Sequence, residues 1–131
     1  MIIIRIYADE RGESNFSEVE MPLTLNVPAP GIDPISTSPR IAATHIQFLT
    51  AAPALITGAW HPAPARQFAI VLKGTLIVEV SNGQSRKLEP GSFLFLEDTV
   101  GKGHKNHLVN DEEIVLAFVP VPDGLMIQNL S

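Results

Sequence analysis

The residues of this chain best able to do chemistry are its four histidines, His45, His61, His104 and His107. Imidazole ligates iron, zinc, copper, manganese or nickel, serves as a general acid or base, and hydrogen-bonds ligands in a pocket. The chain has no cysteine, which removes disulfides, thiol catalysis and Cys-based metal sites together. Other chemistries lack their entry signals. Gly101-Lys102-Gly103 has neither the spacing nor the strand-to-helix setting of a phosphate loop. No G-x-S-x-G elbow is present to place a serine nucleophile.

Composition narrows the partners. A length of 131 residues suits one domain, and 45% hydrophobic against 18% charged residues is a globular balance. Nine Lys and Arg against fourteen Asp and Glu give a net charge of -5, with no cationic cluster to hold a phosphate backbone, so nucleic acid is excluded as a partner. No apolar run reaches the roughly 18 residues that span a bilayer. The opening Ile2-Ile3-Ile4 is broken at Arg5 and does not read as a secretion signal. A cytoplasmic protein is expected.

Eleven prolines and nine glycines leave little room for long helices, and the hydrophobic pattern alternates with the period of strands. The spacing predicts strands over 2–7 and 16–23, a long loop over 24–40, and then strands near 41–50, 54–60, 67–73, 75–81, 84–89, 92–97, 104–109 and 113–120. Asn82-Gly83, Pro90-Gly91 and the polar run Asn110 to Glu113 mark turns, the first as a tight hairpin with both central residues at positive φ. Leu76, Val78 and Val80 share one face of their strand. Phe68, Ile70 and Leu72 oppose Ala69 and Val71, so both faces of 67–73 should be covered. Short strands at this spacing predict an all-β sandwich or closed barrel.

The segment Gly58 to Asn110 resembles the two-motif core of the cupins, small jelly-roll barrels, and in particular small bacterial single-domain cupins. The first motif matches at His61-Pro62-Ala63-Pro64-Ala65-Arg66-Gln67 with Gly74 six residues on. The second matches at Pro90-Gly91, the strand Ser92 to Leu96, and His104. Ala63 stands where the pattern has a second His, and Gln67 stands where it has Glu. The loop from Glu97 to Gly103 is about two residues longer than usual, and the pattern's Asn three residues beyond the His is missing. The resemblance implies a cupin-type jelly-roll barrel over 41–131. Residues 1–40 would form an N-terminal strand arm and Pro-rich loop rather than an independent domain.

It also implies a site. In such a barrel the two motifs face each other, so His61, Gln67 and His104 would occupy the metal-ligand positions. Two imidazoles and a neutral amide are a weak set for a divalent Fe, Mn, Ni, Cu or Zn ion, because one imidazole and the anionic ligand are gone. His45 shares a strand face with Gln47 and could supply a third imidazole, although a lone strand histidine is more often a surface or satisfied core residue. Asn106 shares the face of His104 and should line the pocket, whereas His107 falls on the opposite face and should be exposed. Trp60 could stack on a ligand or serve as a core or interface residue. Arg66 could pair with an anionic ligand group or remain solvated, and Asp98 could cap a turn or act as a base at the barrel mouth.

Two classes of function follow. One is a protein binding a small polar or carbohydrate-like molecule in a pocket of His61, Gln67, His104, Asn106 and Trp60. The other is a metal-dependent dioxygenase or isomerase using the eroded ligand set with His45. A scaffold with no small ligand is the third outcome. The apolar N-terminal strand, the Pro-rich segment and the two-sided strand 67–73 point to a homodimer.

Overall fold

The computed structural model describes residues 1–53 and 58–130. The fold is all-β. In chain order the strands are β1 (Ile2–Ala8), β2 (Ser14–Glu20), β3 (Thr24–Asn26), β4 (Ile35–Thr37), β5 (Gln47–Ala51), β6 (Gln67–Lys73), β7 (Leu76–Val80), β8 (Ser85–Leu88), β9 (Phe93–Leu96), β10 (His104–Leu108) and β11 (Ile114–Pro120), followed by one 3-10 turn at Ile127–Asn129. A six-stranded sheet runs β2-β1-β9-β6-β11-β5, a three-stranded sheet runs β10-β7-β8, and β3 pairs with β4. The β1–β9 pair is parallel, and the other pairs are antiparallel.

The two larger sheets pack face to face as a sandwich and do not close into a barrel. This corrects the closed form expected from the sequence, and the chain shows why closure fails. The segment after residue 57 approaches the free edge of β10 but pairs with it at one point, His61 opposite His104. Pro62 has no N–H to extend that ladder and Pro64 is barred in the same way. Ala63 between them donates instead to the Asp98 carbonyl, at 2.9 Å.

Period-two alternation sets the interior. Leu76, Val78 and Val80 of β7 are buried on one face, and Gln67, Ala69 and Val71 of β6 are buried against them. Between the sheets lies a core that includes Ile6, Val71, Val80, Leu88, Leu94 and Ile114. A second core forms on the outer face of the large sheet, where Ile3, Met21, Phe95, Val121 and Ile127 pack with Ile41, Phe68 and Leu125. The Phe68 and Phe95 rings meet edge to face at 4.8 Å. The expectation that both faces of 67–73 are covered therefore holds at Phe68. The cover comes from this chain's own segments around residue 41 and after residue 120, and Leu72 remains exposed.

The N-terminal residues are not an arm outside the fold. β1 sits between β2 and β9, inside the large sheet. The expected loop over 24–40 contains the β3–β4 hairpin, and the second strand is Ser14–Glu20 rather than 16–23. The strand expected over 41–50 begins only at Gln47. Of the strand expected over 54–60, residues 54–57 lie outside the described residues, and 58–60 are not strand. At Asn82-Gly83 only Gly83 has positive φ. The Val80 N–H bonds Gln84 O at 2.9 Å, which makes a three-residue loop with a left-handed glycine rather than a two-residue turn.

Phe95→Ala should cost about 3–5 kcal/mol, the range for removing a buried aromatic ring, while Val100→Ala in the exposed loop after β9 should change stability by less than about 0.5 kcal/mol. Urea unfolding of the two variants checks the difference. Equal effects would mean that the outer face of the large sheet carries no core.

Candidate functional site

Alternate residues of five strands line a cavity between the two sheets: Gln67 and Ala69 of β6, Leu76 and Val78 of β7, Leu94 and Leu96 of β9, His104 and Asn106 of β10, and Leu116 and Phe118 of β11. His61 and Pro64 complete the described lining. The cavity volume is about 80 Å³. That is room for a few water-sized groups and falls well short of the roughly 300 Å³ at which metabolite pockets usually begin.

The polar groups of this cavity are convergent. The His61 and His104 rings meet edge on, with centroids 4.7 Å apart. The two residues also exchange backbone hydrogen bonds, His61 N–H to His104 O at 2.9 Å and His104 N–H to His61 O at 3.0 Å. Residues 43 positions apart in sequence are thus fixed side by side by a ladder of one rung. His104 is buried, while His61 is exposed and stands at the mouth. Gln67 is 4% exposed, and its amide has no hydrogen-bond partner among the described residues. Asn106 is half-buried.

Each imidazole is held by an acceptor on its Nδ1 side. His104 Nδ1 lies 2.7 Å from Asp98 Oδ2, and His61 Nδ1 lies 3.0 Å from Pro62 O. Carboxylate and carbonyl oxygens accept and do not donate, so in the neutral form each ring carries its hydrogen on Nδ1 and leaves Nε2 as a lone pair. Asp98 is fully buried and also accepts from Ser14 Oγ at 2.8 Å, again on Oδ2. Its Oδ1 has no partner among the described residues. Asp98 is therefore neither a simple turn cap nor a base at the mouth. It stands behind His104 and orients it.

The loop that carries Asp98 to His104 is anchored at both ends. Glu97 is clamped by Arg5 and by Arg66, whose Nη2 lies 2.5 Å from Oε1. Arg66 also donates to Leu125 O and is committed to this internal pair rather than to a ligand or to solvent. Lys102 pairs with Glu13, which also accepts from Ser81 Oγ at 2.6 Å. Those bonds, the lysine first, hold the Glu13 carboxyl below its ordinary value. Gly103 has a φ of 79°, and a β-carbon there would lie 2.2 Å from the His61 carbonyl. The glycine that failed as part of a phosphate loop is what lets the two histidine segments touch.

Two expected site residues lie elsewhere, and His107 is exposed as expected. His45 is exposed on the segment before β5, 3.2 Å from Thr44 Oγ1, and does not line the cavity, because the strand that should have carried it inward starts two residues later. Trp60 is 46% exposed, turned outward one residue before His61, with the Lys105 ammonium 4.7 Å from its ring centroid. His107 is exposed near Glu79, on the face opposite His104. The sequence signal for the Asp98 role was the acid six residues before a motif histidine, at the end of a strand; nothing in the spacing told that its carboxylate would turn inward.

No family model matches the chain, and no curated protein matches it. Among solved structures, it is similar to the crystal structure of protein NMB1881 from Neisseria meningitidis, at 18% identity and a TM-score of 0.44, covering 65% of this chain and 84% of that one.

Gly103→Ala should cost about 2–4 kcal/mol, because strain at positive φ adds to the collision with backbone at residues 61 and 62. Gly83→Ala, at a φ of 96° with nothing within 4 Å, should cost about 1–2 kcal/mol from backbone strain alone. Urea unfolding of both variants compares them. Equal losses would show that the His61–His104 contact does not depend on the glycine.

Proposed function

We propose that this chain is a small, cupin-like jelly-roll protein that binds a small molecule in the cavity between its sheets. The observation carrying this reading is the pair of imidazoles, ring centroids 4.7 Å apart and edge to face, that line a cavity also holding the Gln67 amide, unpartnered among the described residues. Apolar walls around a few convergent polar groups are the usual form of a ligand site. A cavity of about 80 Å³ restricts the enclosed part of the ligand to a small group, so a sugar-sized molecule would leave most of its bulk outside.

The cupin resemblance also brings in a divalent metal, and the residues present do not fit one well. Two neutral imidazoles and a neutral amide contribute no negative charge, and the site's one carboxylate, Asp98, faces the far nitrogen of His104. Among the described residues no group of three His, Cys, Asp or Glu converges on a common point. The metal-dependent dioxygenase or isomerase is the competing reading.

A homodimer belongs to the same proposal. Leu25, Val27, Ile32 and Ile35 on and between β3 and β4 are all exposed, as is Phe48 on the edge strand β5. An isolated two-stranded hairpin is marginal in water, and an uncovered edge invites pairing. A second copy would bury both.

Two measurements test the proposal. A thermal-shift panel of small polar compounds on untagged protein, with metal content determined in parallel, should give stabilising compounds whose effect is lost in His61→Ala and kept in His107→Ala. Near-stoichiometric Fe, Mn, Ni, Cu or Zn that disappears in His61→Ala would establish the metal reading instead, and a flat panel without metal would leave a scaffold. Sedimentation should show a dimer that Leu25→Glu with Phe48→Glu converts to monomer; a monomeric wild type would refute the dimer.

A further inference from the structure

The cavity has a definite electrostatic sign. In the neutral rings Nε2 of His61 and Nε2 of His104 are both acceptors, because Pro62 O and Asp98 Oδ2 hold the hydrogens on the other side of each ring. Behind His104 lies a fully buried carboxylate whose two side-chain hydrogen bonds both fall on one oxygen, with the other oxygen unpartnered among the described residues. No Lys or Arg lines the described cavity. The cations closest in sequence to the motifs are engaged elsewhere: Arg66 by Glu97, Lys102 by Glu13 and Lys105 over Trp60. An ionised Asp98 has no Lys or Arg partner among the described residues, and in a low-dielectric site its charge acts on whatever enters. Gln67, 4% exposed and unpartnered among the described residues, adds an amide whose oxygen can serve as a third acceptor and whose NH2 can donate.

Resting on the small-molecule reading of this cavity, we infer that its ligand enters with a hydrogen-bond-donor head, best a primary ammonium and next a hydroxyl, on a short apolar body. A carboxylate head would set lone pairs against lone pairs and an anion beside Asp98. An ammonium brings three donors, which the two Nε2 atoms and the Gln67 oxygen can receive. The apolar body packs against Leu76, Leu94 and Phe118. A cavity of about 80 Å³ holds on the order of four heavy atoms, a propyl group with its head.

The test uses the full chain and three matched probes: propylammonium, 1-propanol and propionate, at about pH 8, where the amine is protonated and the acid ionised. Binding is followed by the NMR shifts of the His61 and His104 rings. Ligands this small bind in roughly the millimolar range. The expected order is propylammonium at least about tenfold tighter than propionate, with 1-propanol between them. Asp98→Asn should weaken propylammonium at least about tenfold, with the dispersion of the amide spectrum reporting that the variant is folded. If that variant does not fold, the wild-type order still decides. Propionate binding as tightly as propylammonium overturns the inference and leaves the small-molecule reading standing. No binding by any of the three also overturns it, and the small-molecule reading falls with it only if the wider thermal-shift panel is flat as well.

Discussion

The hydrogen bond between His104 and Asp98, 2.7 Å long and shut away from solvent, is the contact on which the site depends. Removing either partner would leave a polar group buried without compensation, at a cost of a few kcal/mol. Keeping both fixes the ring, its tautomer and the direction of its free lone pair. Ser14 ties the same carboxylate to the start of β2, so the site is joined to the N-terminal hairpin as well as to β10. The loop between β9 and β10 is long because it has to do three things: give Glu97 to Arg5 and Arg66, turn Asp98 inward, and bring Gly103 flat against His61.

This arrangement explains why the architecture is a sandwich at this edge and not a continuous cylinder. A full strand beside β10 would cover the mouth of the cavity. The His61-Pro62-Ala63-Pro64 segment can make one rung and no more, so it delivers an imidazole to the mouth and leaves the rest of the edge unpaired. The same prolines that break the ladder position the Pro62 carbonyl that His61 needs. On the other side of the large sheet, the second core around Phe95 anchors β9, whose opposite face supplies Leu94 and Leu96 to the cavity.

Much of this was legible in the sequence because burial follows a period of two. Leu76, Val78 and Val80, and the pairing of Gln67 with Ala69 on one face, are written in the alternation, and so is the separation of His104 and Asn106 from His107. What the alternation cannot carry is where a strand begins. His45 had the right parity but sits before Gln47, outside the ladder, and parity has no meaning there. Trp60 ends the strand expected over 54–60, but residues 58–60 are not strand, so parity does not set its direction. The hairpin inside 24–40 was hidden because its few paired residues, Thr24 to Asn26 and Ile35 to Thr37, are short and mostly exposed and carry no buried face to read. Asp98 was undetermined for a further reason: a carboxylate at a strand end can cap, pair or turn inward, and only the partner it meets decides among these.

The most direct measurement of the central claim is the nitrogen-15 spectrum of the histidine side chains, with ring nitrogens assigned through long-range couplings to the ring protons. In the neutral rings of His104 and His61, Nδ1 should carry the hydrogen and Nε2 should be bare, with an Nδ1 proton of His104 slow to exchange and lost in Asp98→Ala. A bare Nδ1 on His104, or an imidazole exchanging like a free one, would mean that Asp98 does not hold the ring and that the site described here is not built.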